Sequence, residues 1–278
     1  MSNLDIRHDG HVAHVYLNRP DLRNAFDADT IAELTQTFKD LSQDNSLRAV
    51  VLGAHGKAFC AGADLNWMRA MADFSWAENH TDAARLANML WTIASCPVPV
   101  IARVQGDCYG GGVGLVSCCD VVVASEHAGF CLSEAKLGLI PATISPYVIH
   151  AIGERAARRF FVTAERFSAE RAQLIGLVHE VCHADALHET TQQIVHSIVH
   201  NGPVAVRACK QLVKDIGKLP LNTDLRDLTA RRIADIRASD EGREGLRAFL
   251  SKSTPAWQAD SKPAAIKPGV RDAQEPND

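Results

Sequence analysis

The sequence has almost no charge imbalance, since 29 Lys and Arg stand against 33 Asp and Glu in 278 residues. The resulting net charge of −4 supplies no general attraction for nucleic acid or an anionic membrane surface. Basic residues are not interleaved with aromatic ones, so no nucleic-acid partner is expected. Long apolar runs are also missing. The opening MSNLDIRHDGHVAHVYL has charges scattered through it and fits neither a signal peptide nor an anchor, so a cytoplasmic protein without membrane contact is expected. The eight cysteines form no CxxC pair and the twelve histidines show no ligand spacing with them, so reduced thiols and no metal site are expected. Cys60, Cys108, Cys118, Cys119 and Cys131 sit among apolar or small residues, where free cysteine behaves as a small hydrophobe.

What is present reads as an α/β protein. His11 to Asn18 alternates like a strand and stops at Arg19-Pro20. Ile31, Leu34, Phe38 and Leu41 fall at helical spacing, with Asp27 or Asp29 available as a cap. Short apolar runs at 48–52, 100–104 and 121–124 read as buried strands, with a shorter one around Phe130 and Leu132. Helical patterns lie at 83–93 and, after a turn, within 141–151. Alternating strand, turn and helix implies an α/β architecture. From about Ser168 the pattern turns helical, through 187–199, 203–212 and 225–237, with no convincing strand after 181–183. From Gln258 to Asp278 the chain is rich in Asp, Lys, Pro and Ala without an apolar period, and a disordered tail is expected.

Four stretches could carry chemistry. In Phe59-Cys-Ala-Gly-Ala-Asp64, small residues let a backbone N–H face a ligand, or simply make a tight turn. The run YGGGVGLVSCCD at 109–120 lacks a GxGxxG spacing with an acidic partner and has no Walker lysine, which excludes both nucleotide motifs. Its glycines either aim N–H groups at an oxyanion or allow close helix packing. Glu134 is a lone carboxylate among apolar residues in LSEAKLGLIP, either a proton carrier with a raised pKa or a surface or capping residue. Arg19 and Arg23 could meet phosphates or stay solvated. Asp64 and Asp120 read as turn-stabilising residues.

Taken in order, NRPDLRNAF, GKAFCAGADL, GDCYGGGVGLVSCCD, FCLSEAKLGLIP and EGLRAFLSK resemble the crotonase superfamily of enoyl-coenzyme A hydratases and isomerases. The resemblance runs from about residue 4 to Trp257. It implies a spiral of ββα units over residues 1–200 and a helical region over 201–257 that builds homotrimers or dimers of trimers. The implied substrate is an acyl-coenzyme A thioester. No separate cofactor is implied, because coenzyme A is part of the substrate. By the family's motifs the N–H groups of Ala63 and Gly111 form an oxyanion hole and Glu134 is the catalytic carboxylate. Coenzyme A would lie along Leu22, Arg23, Cys60, Ala61, Gly62, Ala63, Asp64 and Leu65, with Phe249 and Lys252 at the nucleotide end.

One departure stands out, because hydratases with two carboxylates carry the first where this chain has Gly114. The blocks at 110–120 and 131–149 are similar to a subset acting on methylglutaconyl-coenzyme A or carboxygeranoyl (isohexenylglutaconyl) relatives, whose substrates carry a distal carboxylate. The resemblance thus implies hydration of such a substrate, whose own carboxylate, or a water it orders, partly replaces the missing side chain. A Δ3,Δ2-enoyl-coenzyme A isomerase using one glutamate, and a non-catalytic or RNA-associating member, are the alternatives. Arg69 is near the pocket loop in sequence.

Overall fold

The computed structural model describes residues 2–259. With elements numbered in chain order, a six-stranded sheet runs β1 (Leu4–Asp9), β2 (Val12–Leu17), β3 (Ala49–Ala54), β4 (Val100–Val104), β6 (Val121–Ser125) and β9 (Glu180–Cys182). β1 and β2 form an antiparallel hairpin, and every later pair is parallel. A small second sheet joins β5 (Cys108–Tyr109), β7 (Gly129–Cys131) and β8 (Arg166–Ser168).

β3 is buried along its whole length because both faces of the parallel sheet are covered. Val50 and Leu52 face α1 (Ala28–Gln43) and α3 (Trp76–Ala94), packing with Leu34, Phe38, Met89 and Leu90. Ala49 and Val51 face the other way, onto Leu187 and Val195 of α7 (Leu187–Val199). The Asp27 side chain caps α1 by accepting from Thr30 N at 2.8 Å.

Several elements extend beyond the sequence expectation. α3 starts at Trp76, well before 83, because Ser75 and Glu78 form a capping box while the first turns stay exposed and show no apolar stripe. β1 buries Leu4 but leaves Ile6 exposed, so it lacks the alternation that marks a strand and depends on pairing with β2. β8 buries only Phe167. α2 (Leu65–Ala72) buries none of its residues, and Asp64 starts it.

The C-terminal region is helical, with α8 (Pro203–Ile216), α9 (Thr223–Ala238), α10 (Asp240–Ser251) and α11 (Ala256–Ala259). Three side chains tie it to the sheet and to itself. Lys210 Nζ donates to Asp120 at 2.6 Å and to Val98 O, Arg48 donates to Val199 O and Trp257 O, and Glu241 accepts from Val204 N and Ala205 N. Because α11 takes in Gln258 and Ala259, helix runs two residues past the expected start of the tail. The rest of that tail lies outside the described residues. Among the described residues, no helix is long and apolar enough to cross a membrane.

Candidate active site

Between them the two sheets bring two loops together. Phe59 N and Cys60 N donate to Asp107 O, and Tyr109 N donates to Cys60 O at 2.8 Å, so residues 59–64 run beside 107–112. Phe26 pins both. Its N–H donates to Gly62 O and its C=O accepts from Asp64 N, each at 2.7 Å. Its ring lies so close to Gly111 that an added Cβ there would stand 2.8 Å from it. Sequence reasoning passed over Phe26, although it closes the quoted NRPDLRNAF block.

Each glycine of the triplet answers to a different neighbour. Gly110, which opens α4 (Gly111–Ser117), has φ 51°. A Cβ on it would lie 3.3 Å from Glu134 Oε1. Gly111 yields to Phe26, and Gly112 to the Cys60 Cβ at 2.8 Å. Among the described residues, neither Ala63 N–H nor Gly111 N–H donates a hydrogen bond. Both residues are half-buried, so their amides are donors held in place and available.

Glu134 arrives from the other side. Gly110 N donates to Cys131 O at the end of β7, and Glu134 follows three residues later in a short 3₁₀ turn closed by Gly138 at φ 71°. Its Oε2 is buried without a hydrogen-bond partner. Burial pushes its carboxyl above the usual range, with its own backbone amide acting weakly in the other direction. A desolvated, unpaired carboxylate costs stability and suits a proton carrier, not a cap.

The remaining expected residues fall into three groups. Leu22 and Arg23 do adjoin the loop, since Ala61 N donates to Arg23 O at 3.0 Å. Asn24 holds that turn by accepting from Arg19 N and donating to His55 O and Ala58 O. Leu65 is exposed at the loop's end, whereas Cys60 is fully buried, its thiol pushed up to about 12 and its N–H and C=O spent on Asp107 and Tyr109, so it does not face a ligand as the motif implied. The Asp64 carboxylate is spent on Asn66 N, Trp67 N and Arg19. Arg19 is neither solvated nor free for phosphate, because its guanidinium braces Asp27, Asp64 and Ala25 O. Arg69 is exposed and bonds Asn66. Phe249 and Lys252 stand exposed on and just after α10, which packs on α8 and α9.

Residues 7–260 match the enoyl-CoA hydratase/isomerase family. The chain belongs to that family. It is similar to a crystal structure of an enoyl-CoA hydratase from Shewanella pealeana, with 42% identity and a TM-score of 0.89, covering 92% of this chain and 96% of that one. The 2,3-dehydroadipyl-CoA hydratase of Escherichia coli is 33% identical over 261 residues, covering 93% of this chain and 99% of that protein. A short-chain-enoyl-CoA hydratase of Clostridium acetobutylicum is 30% identical over 254 residues, covering 91% and 96%. This family member therefore has the crotonase fold, with a helical C-terminal region. The relatives' names differ in acyl chain and do not select one here.

Proposed function

We propose that the protein is an enoyl-coenzyme A hydratase that works with one carboxylate. The observation that carries the reading is Glu134, unpaired and desolvated, against the same glycine turn that presents the Gly111 N–H. Glu134 takes a proton from water while the water oxygen bonds the β-carbon of a conjugated enoyl thioester. The π electrons move toward the thioester oxygen, where the Ala63 and Gly111 N–H groups stabilise the charge without reorganising. The proton on Glu134 then passes to the α-carbon, which leaves the carboxylate as it began and water added across the bond. Coenzyme A runs along Leu22, Arg23 and residues 61–65.

The proposed acyl group is branched and carries a distal carboxylate, as 3-methylglutaconyl-coenzyme A does. Support for it comes from the sequence blocks alone. The structure alters one part of that idea. The space a side chain would take at Gly114 is filled by Ile144, so a substrate carboxylate cannot occupy the same volume. The same filling favours a second reading as a Δ3,Δ2-enoyl-coenzyme A isomerase, since one carboxylate suffices to move a proton between two carbons.

A panel of 2- and 3-enoyl-coenzyme A esters, with and without a distal carboxylate, tests both readings by product mass for hydration and by the ultraviolet absorbance of the conjugated thioester for isomerisation. Gain of one water, faster on the carboxylated esters, is expected. Conversion of a 3-enoyl ester to its conjugated isomer without water uptake would replace the first reading with the second.

A further inference from the structure

Gly114 lies one helical turn beyond Gly110, and its N–H donates back to Gly110 O at 3.3 Å. Gly110, whose added Cβ would meet Glu134, lies outside helical geometry at φ 51° and does not set the direction of a side chain at Gly114, which would have to leave α4 toward Ile144. Ile144 prevents it. A Cβ on Gly114 would collide with Ile144 Cγ2 and stand 2.8 Å from its Cβ, with Leu90 Cδ2 at 3.6 Å. Ile144 is only 2% exposed. It precedes α5 (Ser145–Thr163), and its C=O accepts from Tyr147 N and Val148 N, which fixes its backbone. Its β-branched side chain has little rotamer freedom. α5 packs against both α4 and the turn that carries Glu134, so Ile144 stands where those two elements meet.

Resting on the hydratase reading, we propose that Ile144 is a positioning residue for Glu134: it wedges the Gly114 face of α4, shuts a second side chain and water out of it, and leaves Glu134 to act alone. A bulky apolar group locked onto a glycine is a two-residue device, in which a side chain at 114 requires a smaller residue at 144. The titratable groups on the strand and turn that carry Glu134 are Cys131, whose thiol feels the Glu134 charge, and Lys136, while Tyr147 on α5 meets Cys118. None of them ranks among the influences on Glu134, where burial leads. Loosening the wedge should therefore act on Glu134 through hydration alone.

The test combines a stability cycle with a pH profile. Gly114→Ala should lower the melting temperature, and adding Ile144→Ala should recover part of the loss. Ile144→Ala alone should fold and should move the acid limb of kcat/KM to lower pH as water reaches Glu134, whereas Ile144→Val should leave the limb in place. A tolerated Gly114→Ala, or an Ile144→Ala limb identical to wild type, would overturn the proposal. The hydratase reading fails separately, if wild type adds water to no ester. In that event the melting cycle, together with a ¹³C carboxyl titration of Glu134 in wild type and Ile144→Ala, still decides whether the wedge exists.

Discussion

Asp64 and Glu134 stand at the mouths of two adjoining loops and carry the same functional group, yet their surroundings assign them opposite work. Asp64 is buried and saturated, with two helix amides and the Arg19 guanidinium as donors. Glu134 is half-buried and keeps one oxygen without a donor. A saturated carboxylate holds a structure together, while an unsaturated one stores the cost of burial as readiness to exchange a proton. Local chemistry alone does not separate them, and the donors within reach do.

The comparison breaks most sharply with Glu134→Gln, which should lower kcat by about 10²–10⁴ without lowering the melting temperature. Steady-state kinetics beside a thermal melt would show it. Next comes Gly111→Ala, where the added Cβ meets the Phe26 ring at 2.8 Å and must push the N–H out of line. The expected loss is about 10²–10³ in kcat, with smaller change in binding, as for a lost oxyanion donor.

A third outcome concerns stability and pH. Since the folded protein holds the Glu134 proton more tightly than the unfolded chain, stability should fall as pH rises from the ordinary glutamate range through the raised folded value, and stay lower above it. Glu134→Gln should remove that decline, so denaturant unfolding of both proteins across this window measures it. The smallest effect on turnover is expected from Asp64→Ala, which removes the cap of α2, for about 0.5–2 kcal/mol, and also takes a buried partner from Arg19, at a further cost in stability. Its kcat should change far less than that of Glu134→Gln. A large kcat loss without loss of stability would erase the distinction between the two carboxylates.

Much of the fold was legible because burial on both sheet faces leaves its mark as short apolar runs, as in β3, β4 and β6. α1 and α7 were legible through a one-sided stripe. β1, β8 and α2 were not, since each is defined by a partner or a cap and not by its own pattern. At the site, the motif order pointed to Ala63, Gly111 and Glu134, and the structure puts the Glu134 carboxylate against the glycine turn that carries Gly111. The reason for Gly114 was invisible, because it depends on Ile144, thirty positions away in the chain and in contact only after folding. Arg19 was misjudged for a similar reason. Its partners Asp27 and Asp64 lie in different elements, and no local rule joins them.

The most direct measurement is a ¹³C carboxyl NMR titration of the folded protein, with the Glu134 signal assigned by its disappearance in Glu134→Gln. A midpoint clearly above the ordinary glutamate range is expected if Glu134 stands unpaired and desolvated as the proton carrier. A midpoint at or below that range would mean that Glu134 has found a donor or water, and would contradict the account.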